Sequence, residues 1–127
     1  MPPDLWGDLP GDDLVVPPVT ILREQASLLG NKTNHVLEGD VRVGRQEEAL
    51  SMHLDIVAPA LDGYRFTVLT ATHPVQAFPV TVYSEVTKKW EICNDGPAFE
   101  AKVAQILTSD TIRKVVASLL AQSKSGW

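Results

Sequence analysis

The chain has 127 residues, which is the size of one ordinary domain. Its hydrophobic fraction of 44% and charged fraction of 21% are typical of a folded globular protein and argue against wholesale disorder. The net charge of −5 is concentrated before the first basic residue, at Asp4, Asp8, Asp12 and Asp13; without those four, 12 acidic residues face 11 basic ones. Because no basic stripe is available to displace counterions from a phosphate backbone, nucleic acid is not expected as a partner.

The sequence also predicts a compartment. Every apolar stretch falls short of the roughly 20 residues that a membrane helix needs, so we expect no membrane span. The acidic N-terminus lacks the basic region and apolar run of a secretory signal. Cys93 is the single cysteine, which excludes an internal disulfide and is typical of a reducing, cytoplasmic setting.

Residues 1–17 differ from the rest of the chain and are predicted to form an extended arm. They contain four prolines, two glycines and four aspartates, with no helical or strand period. The apolar residues of this arm are Leu5, Trp6, Leu9, Leu14, Val15 and Val16. They suggest that the arm docks on another surface, its own body first. Residues 18–127 are predicted to form a single domain.

Three amphipathic helices are predicted, one before and two after a block of strands. The first covers about 18–33 and begins after Pro17. The second begins near Pro97, where the missing N–H of proline costs nothing. Ser109 is a suitable N-cap for the third. The three apolar stripes consist of Ile21, Leu22, Ala26, Leu28 and Leu29; of Phe99, Val103, Ile106 and Leu107; and of Ile112, Val115, Val116, Leu119 and Leu120.

Between these helices the hydrophobic period is two, which predicts antiparallel strands. The predicted strands are 36–44, 49–58, 64–73, 77–86 and a shorter 89–93. Their hairpins are registered by pairing Ala58 with Tyr64, Thr72 with Phe78, and Val43 with Leu50. This register places Leu54 beside Val68, and Val68 beside Val82, on one apolar face. The predicted fold is therefore α+β: a four- to five-stranded antiparallel meander with one N-terminal and two C-terminal helices packed on one face, a two-layer sandwich.

The opposite sheet face, here called the outer face, carries candidate ligand residues. The predicted register places His53 opposite Asp40, and Glu38 beside Asp55, and such pairings are typical of acid–base or metal sites. The candidate ligand-binding residues are His53, Asp55, Asp40, Tyr83 and Arg65. A solvated sheet face would carry similar residues, and Arg42 could neutralise the acids. The three histidines lack metal-site spacing, so no metal, cofactor or catalytic residue is assigned.

The same face is semi-apolar, which favours an interface over an active site. The candidate interface residues are Leu69, Val57, Ala71 and Trp6. Trp90 is expected to cover the edge of the core, and Cys93 to be a structural thiol. The leading hypothesis is a non-enzymatic protein-interaction module that forms a homodimer or binds another protein. The alternative is a small-ligand or metal-binding domain that uses His53, Asp55, Asp40 and Tyr83. A third hypothesis is an enzyme that uses the same residues.

Three segments resemble a group of small uncharacterised bacterial proteins of the kind carried in accessory or mobile-cassette genes. They are Pro18–Thr33, Val57–Arg65 and Phe78–Val82, and the similarity covers about two-thirds of the chain. The resemblance implies a bacterial cytosolic setting. It carries no catalytic motif, and the acidic arm lies outside it.

Overall fold

A computed structural model describes residues 3–11 and 15–126. It contains one five-stranded antiparallel sheet whose strands follow one another in chain order. The helices are α1 (Pro18–Lys32), α2 (Gly96–Leu107) and α3 (Asp110–Ser125). The strands are β1 (Glu38–Gln46), β2 (Ala49–Ala58), β3 (Tyr64–His73), β4 (Val80–Ser84) and β5 (Lys89–Cys93), with a short 3-10 helix at Pro59–Leu61. The predicted α+β class, the meander and the placement of the three helices are confirmed.

Local sequence explains where the helices begin. Pro17 has an extended backbone, with φ −65° and ψ 147°, and α1 starts at the following proline. The Asp95 carboxylate accepts a hydrogen bond of 2.8 Å from the Ala98 N–H at the start of α2. The Ser109 hydroxyl accepts one of 3.3 Å from the Ile112 N–H, which confirms its predicted role as the N-cap of α3.

The core lies between the sheet and the three helices. Its largest fully buried apolar side chains are Phe99, Leu22, Leu37, Met52, Leu69, Val68, Val80 and Val82. Helix α1 approaches β1 closely at Gly39, where an added Cβ would lie 2.4 Å from the Cα of Ala26. Real Cβ atoms do not come this near, so the packing of α1 on β1 depends on a glycine at this position.

The register between β2 and β3 differs from the prediction because β3 contains a bulge. Ile56 pairs with Phe66 as predicted, but Leu54 pairs with Leu69 and not with Val68. The extra residue reverses the side-chain alternation in the rest of β3. Leu69 and Ala71, expected on the outer face, are therefore fully buried in the core.

The β3–β4 pairing follows from that bulge. Ala71 lies opposite Val82, so the predicted Val68–Val82 pairing is wrong. Thr70 lies opposite Tyr83 and not opposite Val80, as the predicted pairing of Thr72 with Phe78 required. Leu54, Val68 and Val82 are nonetheless all buried in one cluster, as the apolar pattern predicted.

The register of the first hairpin is displaced by two residues. Val43 lies opposite Met52 and not opposite Leu50, because β1 continues to Gln46 before a tight turn in which Glu47 has a φ of +57°. A displacement of two residues keeps each side chain on its predicted face. It does change which polar residues are neighbours: Asp40 lies opposite Asp55, and Arg42 lies opposite His53. The predicted His53–Asp40 and Glu38–Asp55 pairs are therefore wrong.

The described residues of the arm are exposed. Leu5, Trp6 and Leu9 project into solvent, and the side chain of Trp6 is 79% exposed. The expected docking of the arm on its own domain is not found at these three residues. Asp12, Asp13 and Leu14 lie outside the described residues.

Candidate functional site

The outer face is the surface of the sheet opposite the helices. In the described part of the chain all three helices contribute to the core on the other side. The principal side chains of the outer face are Glu38, Asp40, Arg42, Ser51, His53, Asp55, Val57, Arg65, Thr67, Thr70, Thr72, Thr81, Tyr83, Trp90 and Ile92. Polar residues dominate on β1 to β3, and aromatic and aliphatic residues on β4 and β5.

Asp55 is fully buried although it belongs to the outer face. Its carboxylate accepts hydrogen bonds from Arg42 Nε at 2.5 Å, Thr67 Oγ1 at 2.8 Å and Arg65 Nη1 at 3.1 Å. A second bond from Arg42, through Nη2, reaches the other carboxylate oxygen at 3.3 Å. Four donors thus surround one carboxylate, which satisfies a charge that would otherwise be costly to bury.

Two more contacts extend this cluster across three strands. Arg65 Nη1 donates to the Asp40 carboxylate at 2.8 Å, and Arg42 Nη2 donates to Thr67 Oγ1 at 3.3 Å. We call Asp40, Arg42, Asp55, Arg65 and Thr67 the Asp55 network. Its two arginines and two aspartates carry opposite and equal formal charges, so the network is neutral as a unit.

Burial and hydrogen bonding act on the Asp55 carboxylate in opposite directions. Burial alone would raise its pKa, but the hydrogen bonds from Arg42, Thr67 and Arg65, together with the positive charge of Arg42, hold the pKa below its ordinary value. Asp55 is therefore ionised at neutral pH and is a poor proton acceptor. Its position fits a structural anion better than a general base.

The other two candidate ligand residues lie outside this network. His53 Nδ1 is 2.8 Å from Thr70 Oγ1 on the neighbouring strand. Tyr83 contacts Trp90, with ring centroids 5.2 Å apart and planes tilted by 54°. The structure thus brings Asp55, Asp40 and Arg65 together but does not join them to His53 and Tyr83. Within the described residues, no group of three or more histidine, cysteine or acidic side chains is arranged to hold a metal ion.

The exposed apolar part of the outer face lies on β5. Trp90 is 55% exposed and Ile92 is 67% exposed, and both side chains lie on the side of Tyr83. The expectation that Trp90 covers the core edge is therefore wrong. The sequence could have predicted this orientation. Side chains alternate along a strand, so an inward Cys93 requires Trp90 and Ile92 to point outward.

The predicted interface residues separate into three environments. Val57 is half-buried on the outer face, and Trp6 is exposed on the arm. Leu69 and Ala71 are core residues, as described above, and have no exposed surface to offer a partner.

Cys93 faces the core at the end of β5 and is nearly fully buried. Burial has the largest effect and raises the pKa of its thiol; the positive charge of Lys102 opposes this in part, and the charges of Glu91 and Asp95 raise the pKa further. The thiol is thus protonated at neutral pH, and this environment fits the predicted structural role and not that of a nucleophile.

Comparisons with known proteins identify no relative. No protein-family model matches the chain, and no curated protein or solved structure is significantly similar to it. Among the described residues, no helix is both long enough and apolar enough to cross a membrane.

Proposed function

We propose that this protein is a non-enzymatic, self-associating module that dimerises through the β4–β5 part of its outer face. The observation that carries the proposal is the exposure of Trp90 and Ile92 on one side of the edge strand β5. Trp and Tyr are enriched among residues that dominate binding energy, and here Trp90 is already held against Tyr83. We call Tyr83, Trp90 and Ile92 the β5 patch.

A second copy of the chain is the occupant that best fits this surface. An isologous contact about a two-fold axis at the β5 patch would bring apolar side chains of one copy onto those of the other. The neighbouring Asp55 network is internally neutral, so the approach of an identical face would not meet a strong like-charge field. A stable pair would need roughly 800 Å² of buried surface per partner.

The alternative, a ligand or metal site on the outer face, has less support from the geometry. Asp55 already accepts four hydrogen bonds, and Arg65 is engaged by both Asp40 and Asp55. A metal ion would have to displace these partners. The bacterial cytosolic setting implied by the resemblance is compatible with either function and remains a prediction.

Sedimentation velocity tests the proposal. The wild-type chain should sediment as a dimer at tens of micromolar, and Ile92→Asp should raise the dimer dissociation constant by about 30-fold or more, as expected when a charge enters the centre of an apolar contact. Val43→Asp is the matched control. Val43 is a similarly exposed aliphatic residue, 61% against 67% for Ile92, on β1 at the opposite edge of the sheet, so this change should leave the dissociation constant unaltered.

Two results would contradict self-association. One is a monomeric wild type at 100 µM, and the other is an equal response to Ile92→Asp and Val43→Asp. If a divalent ion instead raises the melting temperature of a monomeric wild type but not that of His53→Ala, the ligand-binding hypothesis replaces the hypothesis of self-association.

A further inference from the structure

A cavity lies on the other side of the sheet, in the helix layer. Its volume is about 280 Å³, and its lining comes from α1, from α3, from the C-terminal end of α2 and from the middle of the sheet. The sheet contributes Leu54, Ile56 and Val68, which are almost completely buried. Leu29 and Val116 are two of the aliphatic residues contributed by the helices. The interior of the cavity is therefore mainly apolar.

The cavity has few polar lining residues. Three lie on or next to the helices, and the fourth is Asp55 of β2, whose carboxylate is held on the outer face by Arg42, Thr67 and Arg65 and does not face the cavity. Gln25 and Lys32 belong to α1, and Thr108 follows the last residue of α2. The Thr108 hydroxyl is occupied by the Ala104 carbonyl oxygen at 2.7 Å. Within the described residues, the side chains of Gln25 and Lys32 make no hydrogen bond or ion pair with the protein, so an amide and a cation remain available at this apolar space.

We propose that this cavity binds a small amphipathic carboxylate, with its apolar body over Leu54, Ile56 and Val68 and its anionic end at Lys32. An apolar interior with one or two polar anchors is the usual composition of a small-molecule site. Lys32 supplies the charge complementarity, and Gln25 supplies an N–H donor for the second carboxylate oxygen.

The volume sets the size of the ligand. Since an apolar cavity of about 150 Å³ accommodates benzene, one of 280 Å³ should hold roughly ten non-hydrogen atoms. A short acyl chain such as octanoate and an aryl acid such as phenylacetate both meet this limit. The Gly39–Ala26 contact forms part of the lining, and any larger residue at either position would push α1 away from the sheet.

Titration calorimetry of the full chain with octanoate, phenylacetate and 1-octanol tests the site. At least one of the two acids should bind with one-to-one stoichiometry and a dissociation constant on the order of 0.1–1 mM, and the uncharged alcohol should bind about fivefold more weakly. Lys32→Met should weaken acid binding about five- to tenfold and leave alcohol binding unchanged. Lys114→Met is the matched control, because Lys114 lies on α3 outside this cavity.

A second variant tests the location. Val116→Phe fills the cavity and should reduce binding of both the acid and the alcohol by at least tenfold; Val116→Leu, which adds a single methylene, serves if the larger residue prevents folding. Undiminished binding in a folded Val116 variant, or equal affinities for acid and alcohol, would overturn the proposal. Ile92→Asp should bind the acid as the wild type does, since the cavity lies across the sheet from the β5 patch, and this separates failure of one proposal from failure of the other.

Discussion

The Asp55 carboxylate lies 2.5 Å from Arg42 Nε on the neighbouring strand, and this contact helps to bury a charged group on a sheet face that the described helices do not cover. A buried carboxylate without donors would be strongly unfavourable, whereas one with four hydrogen bonds is stable. The Asp55 network therefore links β1, β2 and β3 through their side chains in addition to their backbone ladder.

Asp55→Asn tests this structural role. The substitution keeps the shape of the side chain but removes the charge and one acceptor, so the free energy of unfolding should fall by about 1.5–3 kcal/mol. Asp40→Asn is the control because Asp40 pairs with Arg65 in a solvent-exposed position, where an ion pair contributes less than about 1 kcal/mol. Urea denaturation measures the free energy of unfolding of both variants. Equal losses would show that the buried position of Asp55 adds nothing to stability.

The lowered pKa of Asp55 also predicts a pH dependence. The carboxyl group has a lower pKa in the folded than in the unfolded protein, so its contribution to stability is fully present at pH values above its unfolded-state pKa of about 3.9. This contribution is lost as the pH falls through the pKa of the folded state. Urea midpoints measured from pH 6 to pH 2 should therefore fall less steeply in Asp55→Asn than in the wild type. Parallel curves would contradict the assignment.

The Gly39–Ala26 contact predicts a large effect from a single added methyl group. Gly39→Ala would place a Cβ 2.4 Å from the Ala26 backbone, and the resulting displacement of α1 should cost at least about 2 kcal/mol. Gly44→Ala on the same strand is the control, since its Cβ would meet only Ser51 Oγ at an ordinary 3.5 Å. That change should alter the free energy of unfolding by no more than about 0.5 kcal/mol. Thermal melts of the two variants provide the comparison.

Periodicity sufficed to predict the helices, the strands and the meander because each helix has one apolar stripe and the apolar residues of the strand block mostly follow a period of two. It did not reveal the bulge in β3, although Val68 and Leu69 are adjacent apolar residues and the apolar positions change parity between them. That change was the available signal, and it shows why a register extended through β3 without interruption placed Leu69 on the wrong face.

The outer face was predicted less completely for a related reason. The sequence indicated that Asp40, Asp55 and Arg42 share this face, but a displacement of two residues in β1 decides which of them are neighbours. The burial of Asp55 depends on arginines that reach it from the strands on both sides. Such contacts are set by the register and by side-chain conformation, neither of which residue spacing determines.

Removal of residues 1–16 tests whether the acidic arm is part of the folded domain. The described arm residues are exposed and α1 begins only at Pro18, so the truncated chain should retain one cooperative unfolding transition. The expected loss is on the order of 1–2 kcal/mol, as for a few removed contacts. Circular dichroism during thermal unfolding measures it, and a truncated chain that does not fold would show that the arm belongs to the core.

The bulge predicts that Leu69 stabilises the fold and not a dimer. Leu69 is fully buried beside Leu54, so Leu69→Ala should reduce the free energy of unfolding by about 2–5 kcal/mol, and Leu54→Ala should do the same. Leu50→Ala is the control because Leu50 is 39% exposed near the end of the same sheet, and its loss should stay below about 1 kcal/mol.

The state of association separates the two roles of Leu69. Under conditions where Leu69→Ala is still folded, its dimer dissociation constant should equal that of the wild type, because the residue lies on the side of the sheet away from the β5 patch. Leu69→Asp would place a charge in the core and should prevent folding, so it cannot report on association. If Leu69→Ala leaves stability unchanged and instead dissociates the dimer, Leu69 lies on the outer face and the bulge is misplaced.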